Sequence, residues 1–347
     1  MGIKGGLFSV IKKRNGYKNS IVKIDDMNGK IIAVDVSHLM YCANYQTKSD
    51  EYIRVVRYFV KFITKMFNKN IIPIMVFDGA PSKLKSNENV KRGDAYKKNV
   101  EKLANLKKEI TSDEGCSILT VSPNLEKYRK LKRIVEIKPT KDDNKSLIKL
   151  FNMLNIPWII TNNDDAEKFC SWLSKHDYVD YIIANDSDCM VFGGKNIIYK
   201  YSHRKSNFEI HIRQNVLNAL EFTHEHQMIH YAMLLGNDYN ARIKGYGPVK
   251  SRKCCLHQNP KSILVAKLGE DKYKEIYEEF TGKCKMSKTV EDFIKLLKSY
   301  KSVGLDKVIK KMISEYTEEK FEKTGFDGTS INILKTLLPS SSIEIPI

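Results

Sequence analysis

Residues 181–194 read YIIANDSDCMVFGG: an apolar run set directly against two aspartates, Asp186 and Asp188, with a Gly-Gly pair closing the stretch. The run is continuous and β-branched rather than alternating, which predicts a strand buried on both faces of a parallel sheet. Three other runs share its form. KIIAVD ends at Asp35, NIIPIMVFD ends at Asp78, and NIPWII leads into Asp164 and Asp165. Helical spacing separates them: EYIRVVRYFVKFITKMFNKN (51–70), NKSLIKLFNML (144–154) and EKFCSWLSKH (167–176) each carry apolar residues at amphipathic intervals. Strand and helix in alternation predict an α/β fold, a doubly wound sheet with right-handed crossovers.

Ligands of such sheets bind outside the carboxyl ends of the strands, so acids at successive strand ends converge without being neighbours in sequence. A single Asp after a strand is usually a turn former or a helix N-cap. Four together repel one another unless hard divalent cations neutralise them. Asp186 and Asp188, two apart at a strand end, are expected on the same side of the sheet, with the Gly-Gly pair as the turn by which the strand leaves. Asp238 adds a further acid in LLGNDYNARIKGYGPVK (234–250), after an apolar helix and before a Gly-rich turn. Two Mg²⁺ ions about 3.5–4 Å apart suit phosphodiester hydrolysis, activating water and stabilising charge on attacking and leaving oxygens.

The whole chain agrees with that chemistry. Its 347 residues carry a formal net charge of +18, which favours a polyanionic partner, nucleic acid before an acidic membrane surface. No apolar run reaches bilayer length, and no signal-peptide core opens the chain. The seven cysteines are scattered, with no CxxC pair, as expected of reduced thiols in an intracellular protein.

These motifs, in this order, resemble the flap endonuclease or XPG-type family of structure-specific 5′ nucleases, over residues 1 to about 255. MGIKG resembles the family's N-terminus and IIAVDVSHLMY its first acidic strand. VFDGAPSKLKSNENVKR is similar to its second motif, and NIPWIITNNDDAEKFC to its glutamate motif. ANDSDCMVFG matches its paired-aspartate motif, and LLGNDYNARIKGYGPVK its last aspartate and DNA-binding turn. The resemblance implies a PIN-like, mainly parallel sheet flanked by helices within a nuclease core over 1–260. A basic helical arch would occupy 83–138 and a helix–two-turn–helix 222–256, with a helical extension over 261–347. It implies two Mg²⁺ ions, replaceable by Mn²⁺, held by Asp35, Asp78, Asp165, Glu167, Asp186, Asp188 and Asp238. Lys85 and Arg92 would assist cleavage, Tyr41 would stack on a base, and Gly2, Gly245, Gly247 and Lys250 would contact DNA, with K⁺ at the helix–two-turn–helix.

One departure stands out. The family's glutamate motif reads roughly Pro-Ser-Glu-Ala-Glu-Ala, whereas this chain reads NNDDAEK (162–168). Counting back from Cys170 selects Asp165 as the ligand, while Asp164 is the alternative. The implied activity is Mg²⁺-dependent 5′-flap cleavage with 5′–3′ exonuclease action on branched DNA, in replication, repair or recombination. The alternatives are a nick or gap exonuclease, a related mRNA-degrading ribonuclease, or a silent DNA-binding scaffold. The long basic interval over 83–138 argues against the junction-resolving branch, whose arch is much reduced. Part of that interval is expected to be disordered without DNA. His226 and His230, Cys254 and Cys255, and His38 read as packing residues rather than chemistry. The C-terminal third shows no sliding-clamp peptide. With the diverged motifs and AT-rich residue usage, this suggests a viral or divergent parasite protein, monomeric, acting where DNA replicates, in the nucleus or a cytoplasmic viral factory.

Overall fold

The computed structural model describes residues 3, 7–12, 17, 20–46, 54–80, 82–112, 123–136, 138–162, 164–202, 205–282, 284 and 286–314. Its centre is a seven-stranded sheet. The strands are β1 (Ser20–Lys23), β2 (Ile31–Asp35), β3 (Ile72–Phe77), β4 (Trp158–Ile160), β5 (Tyr181–Ile183), β6 (Asn196–Ile198) and β7 (Asn207–Ile212). They lie in the order β1-β7-β6-β5-β2-β3-β4. The five from β6 to β4 are mutually parallel, with Ile32 opposite Tyr181 and Val34 opposite Met75. β7 runs antiparallel to both β6 and β1.

The topology explains where the acids meet. From β2 the chain winds outward through β3 to β4, then jumps back across them to β5 and continues the other way to β6. β2 and β5 are therefore the switch point, where the two outgoing crossovers part and leave a crevice at the carboxyl ends. Asp35 ends β2 there, and Asp186 and Asp188 follow β5.

The inner strands divide their side chains between two cores. Ile31, Ala33, Ile182 and Ile197 enter one, and Ile32, Val34, Ile183 and Ile198 the other. Burial on both faces is why their sequences read as unbroken apolar runs. Helices Val36–Gln46, Arg54–Phe67 and Lys141–Met153 cover the second face. Ala166–Lys175, Glu225–Leu235, Pro248–His257 and Glu270–Thr281 cover the first. The last two helices straddle the sheet, since Leu297 of Lys288–Val303 packs in the first core and Ile309 of Leu305–Ser314 in the second. Gly304, at φ 96°, makes the turn between them, a conformation an L-residue adopts only with strain.

Two local expectations are corrected. Asp188 does not sit on a strand: β5 stops at Ile183, and Asp188 is the first residue of a one-turn helix, Asp188–Val191. The alternation of a strand therefore does not place the pair. Instead the Asp188 N–H donates to Asp186 Oδ1 at 3.0 Å, so the first carboxylate orients the turn that carries the second. The Gly-Gly pair follows that helical turn and leads into β6. A Cβ on Gly194 would stand 2.8 Å from Ile182 Cδ1 and 3.0 Å from the Cys189 carbonyl oxygen, so it packs closely on β5 and the helical turn.

After a short turn at Lys83–Lys85, a 27-residue helix, Ser86–Ser112, rises from the carboxyl edge of β3 and packs on Pro123–Glu136. Tyr96, Leu103, Leu106 and Ile110 form its half-buried seam, while lysines such as Lys91, Lys97, Lys98 and Lys102 are exposed. Lys138 Nζ lies 4.3 Å from the Tyr96 ring centre, fastening the base of this basic hairpin. The intervening residues 113–122, which hold most of the expected extra loop, lie outside the described residues, as does Gly2. Among the described residues no helix is long and apolar enough to cross a membrane.

Candidate active site

All seven acids picked out above gather at the switch point. Burial, then Asp78 and Asp186, push the Asp35 carboxyl up to about 8, and its Oδ1 accepts the His38 N–H at 3.1 Å. Asp78 accepts from the Ser37 hydroxyl at 2.6 Å and from the Ala166 N–H at 2.8 Å. It thus caps helix Ala166–Lys175, the function that Asp165, at the N-cap position, leaves undone. Asp165 is free to turn into the crevice, and Glu167 enters it from the first helical turn.

Among the described residues, two cations face the acids. The buried Lys85 ammonium lies 2.8 Å from Asp165, 3.0 Å from Glu167 and 3.6 Å from Asp238, and 5.2 Å from the Tyr239 ring centre. Burial works against its charge, but Glu167, Tyr239 and Asp165 outweigh that and raise its pKa. Arg92, one helical turn beyond Glu88, reaches Asp238 at 2.7 Å and Glu88 at 3.8 Å. The basic hairpin therefore closes on the acids through its first residues. Tyr41 is 41% exposed at the mouth, close enough to Arg92 and Asp78 to feel both charges.

Lys85 and Arg92 do not satisfy the cluster. Glu167, Asp186 and Asp188 all have raised pKa values, burial being the first cause of each. Mutual repulsion adds to it, from Asp186 on Glu167 and Asp188, and from Asp238 on Asp186. Asp188 is fully buried, and among the described residues neither of its carboxylate oxygens has a hydrogen-bond partner. Orphaned acceptors in a ring of carboxylates are a donor set for a hard divalent cation. Among the described residues no three of these side chains converge on one point as a ready cage, because Lys85 draws Asp165, Glu167 and Asp238 toward itself.

Asp164 and Asp165 have different surroundings. Asp164 is buried and its Oδ1 pairs with Lys168 Nζ at 2.9 Å, while Lys168 also pairs with Glu279 at 3.0 Å. Asp165 alone of the two meets Lys85. Sequence reasoning missed Tyr239, Lys168 and Glu279. Tyr239 adjoins Asp238, which was a usable signal; Glu279 lies more than a hundred residues from Lys168 and left none.

The second motif also needs its glycine. Gly79 donates to Thr161 Oγ1 at 2.7 Å and to the Asp164 carbonyl at 3.3 Å, and a Cβ there would stand 1.8 Å from the Thr161 carbonyl oxygen. Gly79→Ala is expected to cost about 3 kcal/mol in urea unfolding and to displace Asp78 from the Ala166 N–H. Wild-type stability in this variant would contradict the close approach.

The Gly245 and Gly247 turn joins helix Glu225–Leu235 to Pro248–His257. Gly245 has φ 85°, Gly247 is the N-cap, Pro248 opens the helix, and Lys250 Nζ lies 4.8 Å from the Tyr246 ring centre. The discounted histidines pack: His230 Nε2 meets the Tyr273 hydroxyl at 2.9 Å, and His226 lies against His230. Burial drops His38 to about 4, which keeps it uncharged. Cys254 and Cys255 are buried in helix Pro248–His257.

A carboxylate cluster at the switch point, beneath a basic hairpin, places the chain among α/β proteins whose ligand meets the carboxyl edge of a parallel sheet. The XPG N-terminal domain matches residues 1–99 and the XPG I-region matches residues 155–238, together more than half the chain. The chain belongs to the XPG and flap endonuclease family. Flap endonuclease 1 of Plasmodium chabaudi chabaudi is 28% identical over 302 residues, covering 79% of this chain and 59% of the relative's length. That of Entamoeba histolytica is 27% identical over 348 residues, covering 93% and 86%. The fold is similar to that of flap endonuclease-1 from Methanococcus jannaschii, with TM-score 0.55 and 18% identity over 94% of this chain and 98% of the other. It is also similar to the Rad2 catalytic core in complex with DNA substrate, with TM-score 0.52 and 24% identity over 86% and 80%. The junction-resolving enzyme GEN1, in complex with product DNA and Mg²⁺, gives TM-score 0.55 at 14% identity over 96% and 76%.

Proposed function

We propose that this protein is a divalent-metal-dependent 5′-flap endonuclease with 5′–3′ exonuclease activity, cutting branched DNA in replication, repair or recombination. The carrying observation is the buried Asp188, both of whose oxygens are unpartnered among the described residues, set among six other acids and closed over by Lys85 and Arg92. Asp35, Asp78, Asp165, Glu167, Asp186, Asp188 and Asp238 would hold two Mg²⁺ ions, or Mn²⁺ in their place. When bound, such ions lower the pKa of water and stabilise charge on attacking and leaving oxygens.

The chain's own residues supply the rest. Lys85 and Arg92 offer positive charge to the scissile phosphate as negative charge builds on it. For that they exchange their present carboxylate partners for phosphate oxygens. Tyr41 offers a ring on which an unpaired base stacks. The exposed lysines of Ser86–Ser112 attract the backbone of a single-stranded 5′ arm. Gly245, Gly247 and Lys250 present backbone N–H groups and a cation to a duplex phosphate, with room for K⁺. Gly2 would also contact DNA. Water adds across the phosphodiester, leaving a 5′-phosphate and a 3′-hydroxyl. We take 1–260 as the nuclease core and 261–347 as a helical extension of a monomer acting where DNA is copied.

The test is a labelled double-flap DNA incubated with Mg²⁺. A cut near the flap junction, abolished by EDTA, is the expected result, and an uncut flap would refute the proposal. Mononucleotide products from nicks alone would favour the exonuclease reading, and cleavage confined to RNA the ribonuclease one.

A further inference from the structure

The last turn of helix Glu270–Thr281, far along the chain from every acidic motif, touches three of them at once. Glu279 accepts from Lys168 Nζ at 3.0 Å, and Lys168, one residue after Glu167, holds Asp164, one residue before Asp165. Phe280 lies 5.3 Å, edge-on, from Tyr239, the neighbour of Asp238 and the ring beneath Lys85. The same ring lies 5.1 Å from Phe192, which ends the helical turn begun by Asp188. Asp164 is held at its other end too, since its carbonyl accepts from Gly79 N–H beside Asp78 and from the Thr161 hydroxyl.

We infer that Glu279 and Phe280 are positioning residues for the metal-binding carboxylates, Glu279 acting through Lys168 and Asp164, and Phe280 through Tyr239 and Phe192. A buried ion-pair triad is a poor source of stability, because desolvation consumes most of the Coulombic gain. Its effect here is geometric. Lys168 holds Asp164 back so that Asp165 turns to the crevice, and Glu279 keeps Lys168 from swinging into it. The Asp-Asp-Ala-Glu-Lys order of residues 164–168 makes this bracket available, since one ammonium four residues after an aspartate faces it across a single helical turn. Residues that orient metal ligands without touching the metal commonly change its affinity by about 10–100-fold when replaced.

The inference rests on the nuclease reading, and its test separates the two. Mn²⁺ binding is measured by electron paramagnetic resonance on the full chain, for wild type, Glu279→Gln and Phe280→Leu. Thermal unfolding and the KM and kcat of flap cleavage accompany it. Glu279→Gln is expected to bind Mn²⁺ about 10-fold more weakly and to lose kcat at low metal, with kcat restored by excess metal and KM for DNA unchanged. Phe280→Leu keeps the ion pairs and is expected to shift Mn²⁺ affinity the same way. Wild-type Mn²⁺ affinity in both variants overturns the inference, whether or not their melting temperatures fall. A wild-type protein that neither binds Mn²⁺ nor cuts flap DNA overturns the nuclease reading instead.

Discussion

Asp188→Asn protein is expected to bind flapped DNA as wild type does and to cut it at least about a thousandfold more slowly. Asparagine has nearly the shape of aspartate, and the Asp188 N–H to Asp186 bond is a backbone contact that survives the change. What disappears is the negative charge of a fully buried group with no partner for either oxygen among the described residues. Metal stabilisation of the developing charge is worth several kcal/mol, and each 1.36 kcal/mol is a factor of ten in rate. DNA affinity rests elsewhere, on the lysines of the hairpin and on Lys250, so the two measurements come apart. Single-turnover cleavage and filter binding on one preparation read both. A variant that cuts at even a tenth of the wild-type rate would remove Asp188 from the metal site, and one that loses DNA binding would make the residue structural. Without metal the same change is expected to raise stability, because it relieves an unpaired buried carboxylate.

The inner strands were legible because burial on both faces leaves a continuous apolar signature. KIIAVD, NIIPIMVFD and YII became β2, β3 and β5. The flanking strands were not. β6 is three residues long, and β1 alternates between half-buried and exposed positions, so neither contrasts with a loop. The aspartates were legible as a set, since five parallel strands leave them one edge to share. Their individual surroundings were not. Asp78 capping a helix in the next strand–helix unit, Asp188 opening a helical turn, and Lys85 standing between three carboxylates are contacts across 88, 2 and at least 80 residues respectively. Sequence patterns at helix or strand period report which face is apolar. They say nothing of which ammonium meets which carboxylate. Asp164 and Asp165 show the limit: identical residues in adjacent positions, separated in role by a lysine four residues on and a glutamate in another helix.

Metal-free protein is expected to lose stability as pH rises from 6.5 to 7.5, the reverse of common acid denaturation. The folded Asp35 carboxyl is raised to about 8, and Glu167, Asp186 and Asp188 are raised as well. Unfolded carboxylates titrate near pH 4. Above that pH the folded chain holds more protons than the unfolded one, so the slope of unfolding free energy against pH is negative until the folded groups have titrated. Histidines act oppositely but lower. His38, His211 and His230 are dropped to about 4 by burial, so their contribution still grows through pH 6.5, is complete about one unit above it, and is lost as pH falls. Burial raises Cys42, Cys255 and Cys284, and these thiols matter only as the unfolded ones ionise above about pH 8. Lys85, raised further from an already high value, stays charged throughout. Across the window the four raised carboxylates outweigh the fading opposite effect of the three histidines, and a single proton across it is worth about 1.4 kcal/mol. Urea unfolding in EDTA at pH 6.5, 7.0 and 7.5 measures the slope. Excess Mg²⁺ is expected to abolish or invert it, because deprotonated carboxylates bind the ion and binding to the folded state at 100 times Kd adds about 2.7 kcal/mol. Asp35→Asn is expected to flatten the EDTA curve without Mg²⁺. A metal-free stability that is level or rising between pH 6.5 and 7.5 would mean that the acids at the switch point are not the strained set their burial makes them.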